Sequence, residues 1–508
     1  METTETKSKF VPSAYQAAIY DFVTHGKGNA VISAVAGSGK TTTIVNALKL
    51  IDRAMRSIFI AFNKSIITEL RTKLPDYVDV STIHSIGWKA VLKFFKQFKP
   101  TLNARKYDDL LKVLSATWDL DEQFDEDEEK YNYVQRVRKL IDLARVNMVE
   151  LDNVEELEEF ADKHGIEVYN GEAKNALNAI KVGNKNKREF DYTDMIYIPA
   201  LLNLQLDKYD WVFVDECQDL NKAQQQILRN LINPNGGRFI AVGDPAQAIY
   251  GFAGADVDSF DRLKSTPNTI ELPLSVCYRC GKNIIQYAQS IVPHLSYPDT
   301  AKDGIVRSDG KNVDIKEGDY VLCRNTAPLV MLCLQMLGQG KKAMILGGDI
   351  GKTLINMIKK TKKKTPDEMF AVLEKDLFTL KVKLAKKKKL DESEVEQERQ
   401  VILFKEKVKV LEIIVNEQRI KTTETLISRL EKLFSDEVEG IVFSTIHKSK
   451  GLEANRVHII CKEMMPSKWA KKTWEKVQES NLEYVAYTRA KNELVFNDEF
   501  VYDPEAEK

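Results

Sequence analysis

The residues best suited to chemistry in this chain stand at the end of an apolar run. NAVISAVAGSGKTTTIV reads as a strand, a small-residue loop and a helix opening on threonines, with AVAGSGKT at residues 34 to 41. In such a loop backbone N–H groups converge on phosphate oxygens, a lysine reaches the outer phosphates and a hydroxyl holds magnesium. Those roles fall to Gly37, Gly39, Lys40 and Thr41, with Ala36, Ser38 and Thr42 completing the cradle. The usual pattern begins with glycine where this chain has Ala34. The strand before and the helix after outweigh that departure; the plain alternative is a strand-to-helix turn with an incidental lysine.

Some 170 residues on, DKYDWVFVDECQDLNKAQ sets an apolar run directly before Asp215 and Glu216. An acidic pair at a strand end is usually just solvated, but after a phosphate loop it has a task. Asp215 is expected to hold magnesium through its water shell, and Glu216 to take a proton from an attacking water. A third strand, RFIAVGDPAQAIYGFAGAD, ends in Asp244, and Gln247 after it is placed to sense a terminal phosphate. Tyr250 and Phe252 follow in a Gly-rich segment. Aromatics beside a nucleotide site suit base stacking, against the alternative that they pack the loop.

Positioning these groups requires strands that end side by side. Short apolar runs recur at Ala30 to Ala34, Ser57 to Phe62, Trp211 to Val214, Phe239 to Val242, Val321 to Leu322, Ile441 to Thr445 and Val457 to Ile460, each followed by a turn or a helical pattern. This predicts an α/β protein with parallel sheets. Two stretches differ. One, 92–188, reads as amphipathic helices broken by DLDEQFDEDEEK; the other, 350–438, is rich in Lys and Glu and almost free of Gly and Pro. The expected organisation is a first domain at 1–91 and 189–274 interrupted by the insertion 92–188, and a second at 275–349 and 439–508 interrupted by 350–438. Lysine runs at 359–364 and 386–389 suit phosphate but more often mark a solvated helix face.

With 508 residues, 43% hydrophobic and 30% charged, the chain is an ordinary globular protein of several domains. Lys+Arg and Asp+Glu balance at 75 each, so any polyanion must be held by a local groove rather than a global field. No apolar run of bilayer length and no signal-peptide core is visible, which leads us to expect a non-membrane, cytoplasmic protein. The six cysteines are spread as in a reducing compartment; Cys277 and Cys280 form a CxxC, but no second pair completes a zinc site.

In order, AVAGSGKTT, IAFNKS, STIHSIG, FDYTDMI, VDECQDL, VGDPAQAIYGFAGAD, LSVCYRC, STIHKSKGLE and YVAYTRAK cover most of the chain, and as a set they resemble the UvrD/Rep-like superfamily 1 DNA helicases. The resemblance implies two RecA-like domains with ATP and Mg2+ in a cleft between them. It implies that Gln16 reads the adenine and Tyr278 stacks on it, that Glu453 lies near the ribose, and that Arg279 and Arg489 reach the terminal phosphate as arginine fingers. For single-stranded DNA and its junctions with duplex it points to Phe62, Asn63, Thr82, His84, Tyr192, Asp194, Tyr250, Phe252, Thr445 and His447. Stacking and phosphate grips serve RNA as well as DNA, and each histidine has an equally good structural use. The implied activity is ATP-dependent 3′ to 5′ unwinding, the alternatives being a translocase that strips proteins or serves a larger complex and, against the presence of Lys40, Glu216 and both arginines, a nucleotide-gated nucleic-acid-binding module without hydrolysis. Three positions depart from the family: Ala253 stands where an arginine is usual, and Cys277 and Cys280 flank the Tyr-Arg pair in place of Asn and Ser. The 17 residues after Lys491 leave little room for a partner-recruiting tail.

Overall fold

The computed structural model describes residues 11–497 except 62–63, 119, 121–123, 125–126, 165, 167, 170, 250–257, 310–313, 389, 397, 436–438 and 469. Four expected DNA residues, Phe62, Asn63, Tyr250 and Phe252, lie outside the described residues, as does Ala253. The chain separates into two compact units, Met1–Ser275 and Val276–Lys508, each built on a parallel sheet with flanking helices. The fold is α/β of the RecA-like kind.

In the first unit the strands are β1 (Asn29–Ala34), β2 (Ser57–Ile60), β3 (Val78–Ser81), a two-residue pair β4 (Thr101–Leu102) and β5 (Glu189–Phe190), then β6 (Trp211–Val214), β7 (Arg238–Gly243) and β8 (Thr269–Leu274). The main sheet runs β3-β2-β6-β7-β1-β8 with every pairing parallel. Its central strands are apolar on both faces because helices cover both. Ile32, Phe213 and Val242 pack with Ile44 and Leu48 of the helix Lys40–Leu48, while Val31, Val212 and Val214 pack with Ile227 and Leu228 of Lys222–Leu231. Parallel strands all end on the same side, so the loops after β1, β2, β3, β6 and β7 gather at one rim, the usual ligand edge of such a sheet. β3 and β8 escaped the sequence reading. Both are edge strands, β3 only four residues long and β8 carrying Glu271 and Pro273, which an edge tolerates and a centre does not.

Between β3 and β6 the chain is mainly helical, with a core of its own that includes Tyr107, Tyr133, Leu140, Ile141 and Ile180. The pairing of β4 with β5 clips its two ends together, a pairing too short to leave a sequence signal.

The second unit holds β9 (Ile305–Ser308), β10 (Tyr320–Cys323), β11 (Ala343–Leu346), β12 (Phe434–Ser435), β13 (Ile441–Thr445), β14 (Ala454–Ile460) and β15 (Ala490–Asn497), ordered β12-β11-β13-β10-β14-β15-β9, again all parallel. The Lys/Glu-rich stretch forms the helices Gly348–Thr361, Pro366–Lys388, Glu392–Glu396, Arg399–Glu417 and Thr423–Leu433. Leu354, Met369, Leu411 and Ile414 share one core with Val321 and Phe443, so three of these helices and the near part of Pro366–Lys388 pack onto the sheet, Leu384, Val395 and Val401 form a small cluster of their own, and β12 joins the sheet directly. Among the described residues no helix is long and apolar enough to cross a membrane.

Candidate functional site

The turn after β1 takes its shape from two glycines. Gly37 and Gly39 have φ of +67° and +77°, a region costly for residues with a Cβ, and Gly39 opens the helix Lys40–Leu48. Ala34, by contrast, is the last residue of β1 and pairs with Leu274, so extended backbone is all that position asks for. The loop's N–H groups and the helix N-terminus make an anion cradle. Ala36 lines it, buried, while Thr42 is exposed on the helix. The Ser38 hydroxyl is fully buried with no hydrogen-bond partner among the described residues, an unmet polar group of the kind that phosphate oxygens satisfy. Gln16 lies beside the loop. Its Nε2 donates to Thr43 Oγ1 at 3.0 Å, and the Thr43 hydroxyl donates to Gly39 O at 2.9 Å. Thr43, unremarked in the sequence, thereby ties Gln16 to the cradle.

Because β6, β7 and β1 are neighbours, their loops bring the acidic residues to the cradle. Thr41 Oγ1 lies 3.4 Å from Asp215 Oδ2, and Lys40 Nζ is 4.0 Å from Glu216 Oε1. Burial, reinforced by the Glu216 charge, pushes Asp215 up to about 7 although Lys40 pulls it down; burial raises Asp244 too. Two buried carboxyls held above their ordinary range are a site short of positive charge, and Thr41 and Asp215 form a hard-oxygen pair that fits Mg2+. Gln247 Nε2 donates to Asp244 Oδ2 at 2.5 Å. Gln218 was also missed: its Nε2 donates to Glu216 Oε2 at 2.6 Å and its Oε1 accepts from the Asp244 N–H at 3.0 Å, joining the β6 and β7 loops. The sequence shows only a glutamine two residues past the acidic pair, and its burial and partners come from the fold. Gly243 leaves it room, since a Cβ there would sit 2.5 Å from Gln218 Oε1.

The expected DNA residues of this unit fall into distinct environments. Thr82 caps the helix Ile83–Phe94, accepting from the Ser85 N–H at 3.2 Å, and is nearly buried. His84 follows on that helix, and burial lowers its pKa. Tyr192 is 62% exposed. Asp194 departs from the expectation. It is fully buried, with Oδ2 2.6 Å from Lys106 Nζ and Oδ1 2.9 Å from Arg145 Nη1, so its carboxylate is bound inside the protein and offers no surface to a nucleic acid.

In the second unit Tyr278 is 49% exposed. Arg279 Nε lies 2.5 Å from Glu453 Oε2 and its Nη1 donates to Thr488 O at 3.2 Å; Lys491 Nζ lies 2.7 Å from Glu453 Oε1. The structure thus brings Arg279, Glu453 and Lys491 together, and burial of Glu453 is outweighed by Lys491 and Arg279, which hold its pKa down. Arg489 is 1% exposed. Its Nε donates to Val485 O at 2.9 Å, Nη1 to Leu452 O at 3.1 Å and Nη2 to Thr488 Oγ1 at 3.2 Å. Thr445 ends β13, and its carbonyl accepts from the N–H groups of Lys448 and Ser449. His447 follows; burial and the Arg324 charge push its pKa down to about 3, so it is a neutral imidazole. All six cysteines are buried free thiols, and among the described residues no three His, Cys, Asp or Glu gather as a metal cluster.

Comparison with known proteins agrees with this geometry. Residues 16–268 match the family model of the UvrD/REP helicase N-terminal domain. The chain is 23% identical over 302 residues to the ATP-dependent DNA helicase Rep of Buchnera aphidicola, covering 53% of this chain and 42% of that protein. It is 23% identical over 510 residues to the F-box DNA helicase protein 1 of Schizosaccharomyces pombe, covering 92% of this chain and 55% of that protein. It is also 36% identical over 102 residues to the ATP-dependent DNA helicase PcrA of Staphylococcus epidermidis, covering 20% of this chain and 14% of that protein. The chain spans about half the length of the first two of these relatives. The cradle after β1, the acidic ends of β6 and β7 and the matched domain that contains them make the chain a member of the UvrD/Rep-like helicase family.

Proposed function

We propose that this chain is an ATP-hydrolysing motor that moves along single-stranded DNA and unwinds duplex from the junction, working inside the cell, with the 3′ to 5′ direction taken from the family resemblance. The observation that carries the reading is the convergence of Lys40, Thr41, Asp215, Glu216 and Asp244 at the ends of adjacent strands β1, β6 and β7. The printed names of the relatives, ATP-dependent DNA helicases, support it.

Lys40 and the loop N–H groups bind the outer phosphates, with Ser38 donating the hydroxyl that has no hydrogen-bond partner among the described residues. Thr41 and Asp215 would hold Mg2+, which would supply charge to offset that building on the phosphate oxygens. Glu216, steered by Gln218, accepts the proton of the attacking water. Gln247 reports the terminal phosphate from beside Asp244. Gln16 reads the base and Tyr278 stacks on it. Arg279 and Arg489 are the arginines that stabilise transition-state charge; to do so Arg279 leaves Glu453, and Arg489 leaves its carbonyl acceptors. On the strand, Tyr192 offers an exposed ring for stacking, and the family resemblance assigns phosphate contacts to Thr82, His84, Thr445 and His447.

The test is phosphate release with and without single-stranded oligonucleotide. ATPase activity that rises strongly with DNA and is lost in Lys40→Ala supports the reading; turnover indifferent to both overturns it.

A further inference from the structure

The segment FDYTDMI holds one exposed aromatic between residues that are tied down. Asp191 and Asp194 are 3% and 0% exposed, whereas Tyr192 is 62% exposed. The two aspartates exchange bonds across the turn: the Asp194 N–H donates to Asp191 Oδ1 at 2.8 Å and the Asp191 N–H to Asp194 Oδ2 at 3.1 Å. Both then converge on Arg145, a fully buried residue of the helix Asp127–Val146 and 46 positions away from Asp191. Its guanidinium grips Asp191 with both nitrogens at 2.8 Å, Asp194 at 2.9 Å and Asp142 at 2.6 Å, over the Tyr107 ring with 4.1 Å to its centroid. Asp142 also accepts from the Thr193 hydroxyl at 3.4 Å and from Arg138. The residues on both sides of Tyr192 are therefore braced to one helix.

A buried ionic network is a poor way to gain stability, because well-packed apolar side chains do as well without the desolvation cost. What it supplies is direction. A planar fork with fixed donor angles admits one arrangement of its carboxylates, and thus one course of the backbone between them. An aromatic held on such a turn loses little freedom when a base stacks on it, and pre-ordering of this kind raises affinity without adding contacts.

We propose that Arg145 is a positioning residue for nucleic-acid binding, fixing the turn 191–194 so that Tyr192 is presented to a single-stranded base in a set orientation. The inference rests on the reading above that Tyr192 meets the strand. It gives Asp194 a part in DNA binding from inside the protein, through Arg145 rather than through phosphate. Arg138 and Asp142 complete the brace.

Affinity for a fluorescein-labelled oligothymidylate, measured by anisotropy, tests it on the full chain with Tyr192→Ala, Arg145→Lys, Asp142→Asn and the double variant Arg145→Lys/Tyr192→Ala. Tyr192→Ala should weaken binding roughly tenfold, the usual scale for one stacked base. Arg145→Lys keeps the charge but not the fork, and Asp142→Asn loosens the partly exposed end of the network. Each should weaken binding several-fold and raise the DNA concentration for half-maximal ATPase while leaving kcat at saturating DNA in place. The double variant should bind no more weakly than Tyr192→Ala. Undiminished affinity in both network variants, or losses that multiply in the double variant, would overturn the proposal. Should Arg145→Lys fail to fold, Asp142→Asn decides. Wild-type affinity in Tyr192→Ala would remove the underlying contact and this inference together, while a loss in Tyr192→Ala with none in the network variants would remove the inference alone.

Discussion

Replacing Asp215 by Asn should make the free protein more stable at neutral pH while abolishing its hydrolysis. The Asp215 carboxyl titrates near 7 in the fold against 3.8 as its ordinary value, because burial and the Glu216 charge outweigh Lys40. The folded value lies above the unfolded one, so below about 4 both states hold the proton and nothing is lost. As pH rises from about 4 to about 7 the unfolded state gives up its proton first, and the fold loses up to about 1.4 kcal/mol per pH unit, reaching a limit of about 4 kcal/mol above pH 7. Asparagine does not titrate, and its amide oxygen can still accept from the Glu216 N–H that Asp215 Oδ1 binds at 2.9 Å. Allowing for a weaker interaction with Lys40, the gain at pH 8 should be about 1 to 3 kcal/mol, or several degrees in Tm at about 2 to 4 °C per kcal/mol for a unit of this size. Thermal melts in EDTA from pH 4.5 to 8.5 should show the variant above wild type at pH 8 and the two converging near pH 4.5, with ATPase lost throughout. A lower Tm for Asp215→Asn at pH 8, or a gap independent of pH, would refute this electrostatic account of the site.

Other consequences follow from the same geometry. Glu216→Gln keeps the hydrogen-bond reach of the side chain but not its basicity, so turnover should fall about 10²- to 10⁴-fold with ATP binding retained in equilibrium dialysis. Arg279→Ala should cost on the order of a hundredfold in DNA-stimulated kcat, the scale of a lost arginine finger, and full stimulation would remove Arg279 from that role. His447, pushed down to about 3 by burial and Arg324, stays neutral in the fold while the unfolded imidazole protonates near 6.5. Wild type should therefore lose stability below pH 6.5 by up to about 1.4 kcal/mol per pH unit relative to His447→Gln, and parallel Tm–pH curves for the two would contradict it.

Groups within a few residues of one another, at the end of a strongly patterned strand, were readable from sequence. Lys40, Thr41, Asp215, Glu216 and Asp244 sit where their strands end, since β1, β6 and β7 are central, apolar on both faces and unmistakable. β3 and β8 were not readable, because edge strands accept the charge and proline that disguise them, and the interior strands β11 and β15 of the second sheet went unread as well. Asp194 misled for a related reason. A carboxylate in a motif looks available until its partners are known, and Lys106 and Arg145 are 88 and 49 residues away. Gln218 joins two loops and Thr43 accepts from Gln16 of another helix, contacts that only tertiary folding brings about. The helices of the second unit were expected as an insertion from their composition, but composition has no term for the shared core that joins Leu411 and Ile414 to Val321.

ATP-driven motion along a single strand is decided by strand displacement on duplexes bearing a 3′ tail, a 5′ tail or none, with Mg2+ and ATP, using Lys40→Ala as the control. The wild-type chain should separate the 3′-tailed duplex, leave the blunt one intact, and do nothing without ATP or in the Lys40→Ala variant. Separation that proceeds without ATP, or persists in Lys40→Ala, would contradict it.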